Sequence, residues 1–253
     1  MIIEQTLEKL SQMKLTGMLQ ALEDWTRRKP TQELDPADLV GLLVDAEFTA
    51  RQNRQLTRRL QEAHFPERAT VEEINYQHHR NLSKQKMLEL VSSRWVAERQ
   101  NLIITGPTGI GKTYLPCALG EKACRMGYRV LYTRAPRLFE DLYRARAEGT
   151  YPRVLQRISK MHVLVIDDLG CAPLEASDRR DLREVLEDRY GTSSTVITSQ
   201  IDPDNWHSFI GDETVADAVC DRLVHNAHRL KLKGESIRKL QGLNTPKREA
   251  ARP

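Results

Sequence analysis

Residues 106–113 read Gly-Pro-Thr-Gly-Ile-Gly-Lys-Thr, a match to the GxxxxGK[ST] pattern of a phosphate-binding loop. The pattern describes a polyphosphate cradle. Its glycines, Gly106, Gly109 and Gly111, let backbone N–H groups turn inward around phosphate oxygens. Lys112 is placed to neutralise β/γ oxygens, and the Thr113 hydroxyl to meet Mg²⁺. Pro107, Thr108, Ile110 and Tyr114 complete the stretch expected to touch a nucleotide. The loop follows the apolar run NLIIT and precedes a helical stretch, whose N-terminus adds partial positive charge. A second run, HVLVID, ends in Asp167–Asp168. The first carboxylate reads as the Mg²⁺ partner of Thr113. The second is placed to orient or deprotonate a water aimed at a γ-phosphate. A third run, STVITSQ, carries Thr198, Ser199 and Gln200 to the carboxyl end of a strand, where α/β sheets bind ligands. Two adjacent acids favour hydrolysis over phosphoryl transfer to a small molecule, and no arginine-rich lid stands in the chain.

Pro116 complicates this picture. It lies four residues after Lys112, so its missing N–H removes a helical bond to the Lys112 carbonyl, at a cost of about 3 kcal/mol in a helix interior. The donors that cradle phosphate all precede it. The expectation is a kinked or frayed first turn with nucleotide binding retained.

These residues need a frame. From residue 101 onward the runs NLIIT, YRVLYT, HVLVID, STVITS and RLKLK alternate with helical stretches, the signature of a parallel sheet covered on both faces. Before it, residues 1–65 read helical. Leu7, Leu10, Met13 (or Leu15), Met18 and Leu22 recur at helical spacing. Asp35–Pro36 marks the start of a helix running to about His64, and Pro66 ends it. Arg51, Arg54 and Arg58 share one of its faces. Thr70 with Glu73 fits a capping box opening a short helix, and another helix is expected after Ser83. The resulting division is a helical N-terminal domain at 1–75, a connector at 76–100 within an ATPase domain at 76–241, and a disordered basic tail at 242–253.

Composition agrees. At 253 residues with 40% hydrophobic and 29% charged, the chain is large enough for a substantial core. No apolar run reaches 18 residues, and MIIEQTLEKL lacks the pattern of a secretory signal. Cys117, Cys124, Cys171 and Cys220 show no CxxC spacing, which suits free thiols in a reducing cytoplasm. His225 and His228, like His78 and His79, lack a third ligand nearby, so metal binding there is not expected. The net charge of +4 is unevenly spread. Residues 129–160 hold eight Lys/Arg against three acids, residues 222–253 nine against two, and residues 161–221 four against fourteen. Basic blocks around an acidic one suggest a polyanionic partner beside a metal-nucleotide centre.

The segments GPTGIGKT, VLVIDDLG, VITSQ and GDETVADAVCDRLVHNAHRLKLKGESIRK occur in this order. Together they resemble AAA+ ATPases of the IstB/DnaC type, nearest to the IstB-like helpers of insertion-sequence transposases. The likeness covers residues 76–240, and the DRL-x-H-x-x-H-R and GES-x-R segments are its most specific part. It implies an α/β fold: a P-loop AAA+ core with a parallel sheet, preceded by a small all-helical N-terminal domain. By resemblance, Gly106, Gly111, Lys112 and Thr113 form Walker A, and Asp167 and Asp168 form Walker B. Gln200 stands at sensor I, where many relatives carry Asn. Arg222 resembles the arginine finger that reaches a neighbouring subunit's ATP, and Arg238 resembles sensor II. Arg179, Arg180 and Arg183 compete for an inter-subunit role, though their segment reads more simply as a helix laced with i,i+4 ion pairs.

The resemblance also implies ATP/ADP and Mg²⁺ as cofactors and cytoplasmic ATP hydrolysis. Its implied partners are further copies of the chain, duplex DNA held largely without sequence reading, and an IstA-type transposase; no membrane partner is implied. A DnaC-like replicative helicase loader is the alternative. The insertion after the second strand offers Arg137, Arg144, Arg146, Arg153, Arg157 and Lys160 as phosphate contacts, with Tyr143 and Tyr151 between them. Trp25, Trp95 and Trp206 read as packing anchors.

Overall fold

The computed structural model describes residues 2–28, 35–77 and 80–237. The chain divides into two compact units, Met1–Arg58 and Arg59–Pro253. In the first unit, helix α1 (Ile2–Gln12) and helix α2 (Thr16–Arg28) precede the long helix α3 (Pro36–Ala63), whose residues from Arg59 onward belong to the second unit. The Asp35 carboxylate accepts the Ala37 N–H at 3.1 Å, as an N-cap should. Gly17 sits so close to α3 that a Cβ there would lie 2.5 Å from the Ala46 carbonyl oxygen. Beside it the buried Glu47 carboxylate accepts the Gly17 N–H at 2.7 Å and bonds Arg51 at 2.8 Å and Arg54 at 3.0 Å. The arginine face of α3 is thus partly engaged in holding α2.

The second unit follows the alternation of its sequence. In chain order come α4 (Lys84–Val91), α5 (Arg94–Ala97), β1 (Asn101–Thr105), α6 (Tyr114–Arg125), β2 (Val130–Arg134), α7 (Ala135–Ala147), α8 (Tyr151–Ser159), β3 (Val163–Leu169), α9 (Ala176–Arg189), β4 (Ser194–Ser199), a 3₁₀ turn, α10 (Trp206–Ile210), α11 (Glu213–Val224) and β5 (Ala227–Lys231). All five strands are parallel, in the order β2-β3-β4-β1-β5. Parallel strands require crossovers, and the helices that supply them cover the sheet. Ile103, Leu131, Leu164, Ile166 and Ile197 enter a core with side chains of α7 to α11, including the buried Trp206. The alternate strand residues point the other way, where Val130 lies near Gly120 of α6. Trp95 and Trp206 are buried with their indole N–H groups on backbone carbonyls, at 3.0 and 3.2 Å. No helix among the described residues is long and apolar enough to cross a membrane.

Three local expectations change. Thr70–Glu73 opens no helix. Tyr114 intervenes: its hydroxyl accepts the Thr70 N–H at 3.4 Å and donates to the Glu73 carboxylate at 3.3 Å, standing between the two groups that a capping box would join. Ser83 does cap α4, accepting the Lys86 N–H at 3.4 Å. In α9, Asp181 and Glu184 pair with Arg146 of α7, and Glu187 pairs with Arg222 of α11. The acids of this helix therefore tie it to neighbouring elements rather than to its own Arg179, Arg180 and Arg183. At Pro116, the bonds on either side form, Leu115 N–H to Gly111 at 3.3 Å and Cys117 N–H to Thr113 at 3.4 Å. The proline removes one bond from a first turn that otherwise stays helical, and regular helix begins at Tyr114.

Candidate nucleotide-binding site

The loop 106–113 leaves β1 at the carboxyl end of the sheet and leads into α6. It borders a cavity of about 630 Å³ lined by Glu67, Glu73, Asn75, Arg80, Thr108, Gly109, Gly111, Lys112, Thr113, Tyr114, Arg134, Asp168, Cys171, Gln200 and Ile237. Gly111 has φ +92°, a conformation that side chains rarely adopt. The segment after β5 closes over the loop, with the Ile237 N–H on the Gly109 carbonyl at 2.9 Å. Lys112 is buried and donates from Nζ to the Pro107 carbonyl at 2.9 Å. Burial pulls its pKa down while the Asp168 and Asp167 carboxylates raise it. Its ammonium is held within the loop, ready to exchange a carbonyl for a phosphate oxygen.

Strand alternation explains what surrounds Asp167. Tyr132, Asp167 and Thr198 occupy three adjacent strands, β2, β3 and β4, at positions of one parity that face the α6 side. The Thr198 hydroxyl donates to Asp167 Oδ1. The Tyr132 hydroxyl donates to Oδ2 at 2.6 Å, and the Thr113 hydroxyl reaches the same oxygen at 2.9 Å. Burial, with the bond to Asp167, drives the Tyr132 phenol pKa well up. Three hydroxyl donors thus compensate a carboxylate that is 1% exposed. Thr113 and Asp167 thus lie within hydrogen-bond distance of each other, and their oxygens are hard donors of the kind Mg²⁺ takes.

Asp168 differs from its neighbour. Its backbone is left-handed, with φ +59°, a conformation that Asp tolerates better than most residues. Its N–H donates to Thr198 Oγ1 at 2.9 Å. The turn aims its carboxylate into the cavity, where Arg134 at the end of β2 bonds Oδ2 through Nη2 at 3.0 Å and Nε at 3.3 Å. Of the polar trio closing β4, Thr198 works beneath Asp167. Ser199 bonds the Leu169 carbonyl at 2.6 Å, and Gln200 alone reaches the cavity.

Arg222 lies elsewhere. It pairs with Glu187, donates to the Ala218 carbonyl at 2.9 Å and sits 6.0 Å from the Tyr190 ring centroid. It borders a cavity of about 160 Å³ with Asn101 and Thr195, near the amino ends of β1 and β4, opposite the loop. Arg238 lies outside the described residues, as do His78 and His79. His225 lies 3.8 Å from Asp221, and His228 bonds Gln100 at 2.7 Å.

The basic insertion forms α7 and α8. Arg137 pairs with Glu140 and Asp141, and Arg144 with Glu140. Arg146 pairs with Asp181 and Glu184 and stacks 3.7 Å from the Tyr151 ring centroid. Arg153, Arg157 and Lys160 are exposed without an ion pair among the described residues. Tyr143 is exposed and Tyr151 buried.

Sequence reasoning missed Tyr132, Arg134 and Arg80. The polar ends of apolar strands were a usable signal for the first two. Arg80 gave none, because only chain folding brings it to the loop.

A family described as IstB-like ATP binding protein matches residues 8–245. An insertion sequence ATP-binding protein of Sinorhizobium fredii is 44% identical over 241 residues, covering 95% of this chain and 98% of its own. A second insertion-sequence protein named for ATP binding, from Pseudomonas fluorescens, is 41% identical over 79% of this chain and 87% of its own. Among solved structures, DnaI is similar with a TM-score of 0.55 at 21% identity, over 70% of this chain and 93% of that one. At that identity the likeness is one of fold.

Proposed function

From the premise that this chain belongs to the family of IstB-like ATP binding proteins, we propose that it is an AAA+ ATPase. In this reading it assembles with further copies on duplex DNA in response to ATP, and it activates or targets an IstA-type transposase in the cytoplasm. One observation carries the ATPase reading. The phosphate-binding loop and the two strand-end carboxylates converge on one cavity, with Thr113 and Asp167 2.9 Å apart.

In this mechanism the inward N–H groups of 109–114 cradle phosphates, and Lys112 releases the Pro107 carbonyl to pair with a phosphate oxygen. Thr113 and Asp167 would hold Mg²⁺, which supplies charge neutralisation at the β- and γ-phosphate oxygens when bound. Asp167 is kept in place by Tyr132 and Thr198. Asp168 accepts a proton from, or orients, the attacking water once Arg134 lets go of its carboxylate. Gln200 lies where its amide can touch the γ-phosphate or that water.

Arg222 faces away from this chain's own cradle, which supports a role on a neighbouring subunit's nucleotide. There its release from Glu187 would tie assembly to ATP. Arg238 is proposed as the cis γ-phosphate contact. In the insertion, Arg153, Arg157 and Lys160 are the DNA candidates with charge to spare, while Arg137, Arg144 and Arg146 must first leave their acids. Domain limits of 1–75 and 76–241 with a tail at 242–253 are retained as part of this reading. The insertion-sequence names of the relatives favour transposition over helicase loading, since the likeness to DnaI extends to fold alone.

The test is phosphate release and DNA-dependent assembly by the purified chain, with Lys112→Ala and Asp168→Asn beside it. ATP-dependent assembly on DNA, lost in Lys112→Ala, and hydrolysis lost in Asp168→Asn are expected. Equal behaviour of wild type and Lys112→Ala overturns the reading. Pull-down with a transposase against a replicative helicase separates the two partners.

A further inference from the structure

Arg80 lines the nucleotide cavity from the segment before α4, and it is only 4% exposed. Among the described residues its guanidinium makes two bonds, both to uncharged backbone carbonyls. Nη1 donates to Ile110 of the phosphate loop at 3.2 Å, and Nη2 donates to Asn75 at 3.1 Å. Nε is buried without a partner among the described residues. No carboxylate there pairs with Arg80, although Glu67 and Glu73 line the same cavity. The backbone fixes its position, since the Arg80 carbonyl accepts the Lys233 N–H at 3.1 Å. Arg80 also presses on the loop: a Cβ at Gly111 would lie 2.7 Å from Nη1.

A buried charge without a counter-charge is costly and is seldom retained without a partner. The other arginine buried this deeply among the described residues, Arg189, also lacks a carboxylate, but each of its three nitrogens is bonded and four of its five N–H groups have an acceptor. Arg80 has only two of its five N–H groups bonded among the described residues and Nε bonded to nothing, in the wall of a cavity. Burial draws its pKa down, opposed only by the Tyr76 and Tyr114 phenols and by no carboxylate, whereas Lys112 has Asp167 and Asp168 nearby. Arg80 is therefore a cavity-lining cation that no carboxylate pairs among the described residues, and an anion entering the cavity would supply its counter-charge.

We infer that Arg80 is a second cation of the nucleotide site, compensated by the bound nucleoside polyphosphate and contributing directly to its affinity. The inference rests on the nucleotide reading of the cavity. It makes Arg80 a binding residue outside the loop motif.

The experiment compares wild type, Arg80→Met, Arg80→Lys and Lys112→Ala by thermal melting without nucleotide and by titration with fluorescent ADP. Arg80→Met keeps the length and removes the charge. It is expected to melt within about 2 °C of wild type or above it, because an uncompensated buried charge is gone. Its ADP affinity is expected to fall on the order of 10-fold, in proportion to one charge-assisted contact. Arg80→Lys keeps the charge and should hold affinity within about 3-fold by the same reasoning. An Arg80→Met protein that melts well below wild type, or fails to fold, while Arg80→Lys loses as much ADP affinity as Lys112→Ala, overturns the inference in favour of a purely structural tie. So does unchanged ADP affinity in Arg80→Met when Lys112→Ala has lost it. If wild type itself binds no ADP, the nucleotide reading fails and the inference with it.

Discussion

Replacing Thr198 with valine isolates the support of the Asp167 carboxylate. The Thr198 side chain is fully buried and its hydroxyl serves two groups, donating to Asp167 Oδ1 and accepting the Asp168 N–H at 2.9 Å. Valine fills nearly the same volume, so little of the effect comes from packing. Losing a hydrogen bond to a charged acceptor costs about 1.5–3 kcal/mol, and stranding the Asp168 N–H in the left-handed turn adds about 1 kcal/mol or more. Together these give roughly 3 kcal/mol. At about 2–4 °C per kcal/mol for a unit of this size, Thr198→Val should melt about 6–12 °C below wild type in nucleotide-free protein. Thr198→Ser keeps the hydroxyl and should lose about 1 kcal/mol for its missing methyl. Urea unfolding with a shared m-value measures both. If Thr198→Val stays within 1 kcal/mol of wild type, or Thr198→Ser falls as far as Thr198→Val, the hydroxyl is not what holds Asp167 and the reasoning is wrong.

Other outcomes follow from the same geometry. Arg134→Ala removes an ion pair whose side chains are 60% and 27% exposed, so stability should change by less than about 1 kcal/mol. Basal ATP turnover should rise as Asp168 is freed, and unchanged turnover in a phosphate-release assay counts against the restraint. Pro116→Ala restores one helical bond beside two that already form, so it should stabilise by about 1 kcal/mol rather than the 3 kcal/mol or so of a helix interior; a lower melting temperature refutes this. Burial pushes the Cys117 and Cys124 thiols up to about 12, so both stay protonated and resist a disulfide reagent until denaturant is added. Cys171 is exposed and borders the nucleotide cavity, so it should react first and be slowed by ADP; modification of Cys117 in folded protein contradicts this.

Local chemistry carried most of the frame. The five runs became five parallel strands; the central strands β1, β3 and β4 read as near-continuous apolar runs because they are buried on both faces, whereas the mixed run RLKLK supplies the edge strand β5, in which only Leu230 is buried. GPTGIGKT and the strand-end acids met because carboxyl ends of parallel strands lie on one side of the sheet. Those features, with the family resemblance, were decided by residues adjacent in sequence. What no local pattern contains is the partner of a side chain. Thr70 and Glu73 spelled a capping box until Tyr114, 41 residues beyond Glu73, took up both groups. The acids of α9 left their own arginines for Arg146 and Arg222. Tyr132, Thr198 and Thr113 were brought to one carboxylate by strand order, β2 beside β3 beside β4, which periodicity does not encode. Arg80 came to the phosphate loop through a chain path that local sequence does not record. Sequence alone determined where a phosphate-binding loop pattern stands, because residue type and spacing suffice for that. Tertiary structure alone decided which charges are compensated, because a counter-charge is a matter of distance in space.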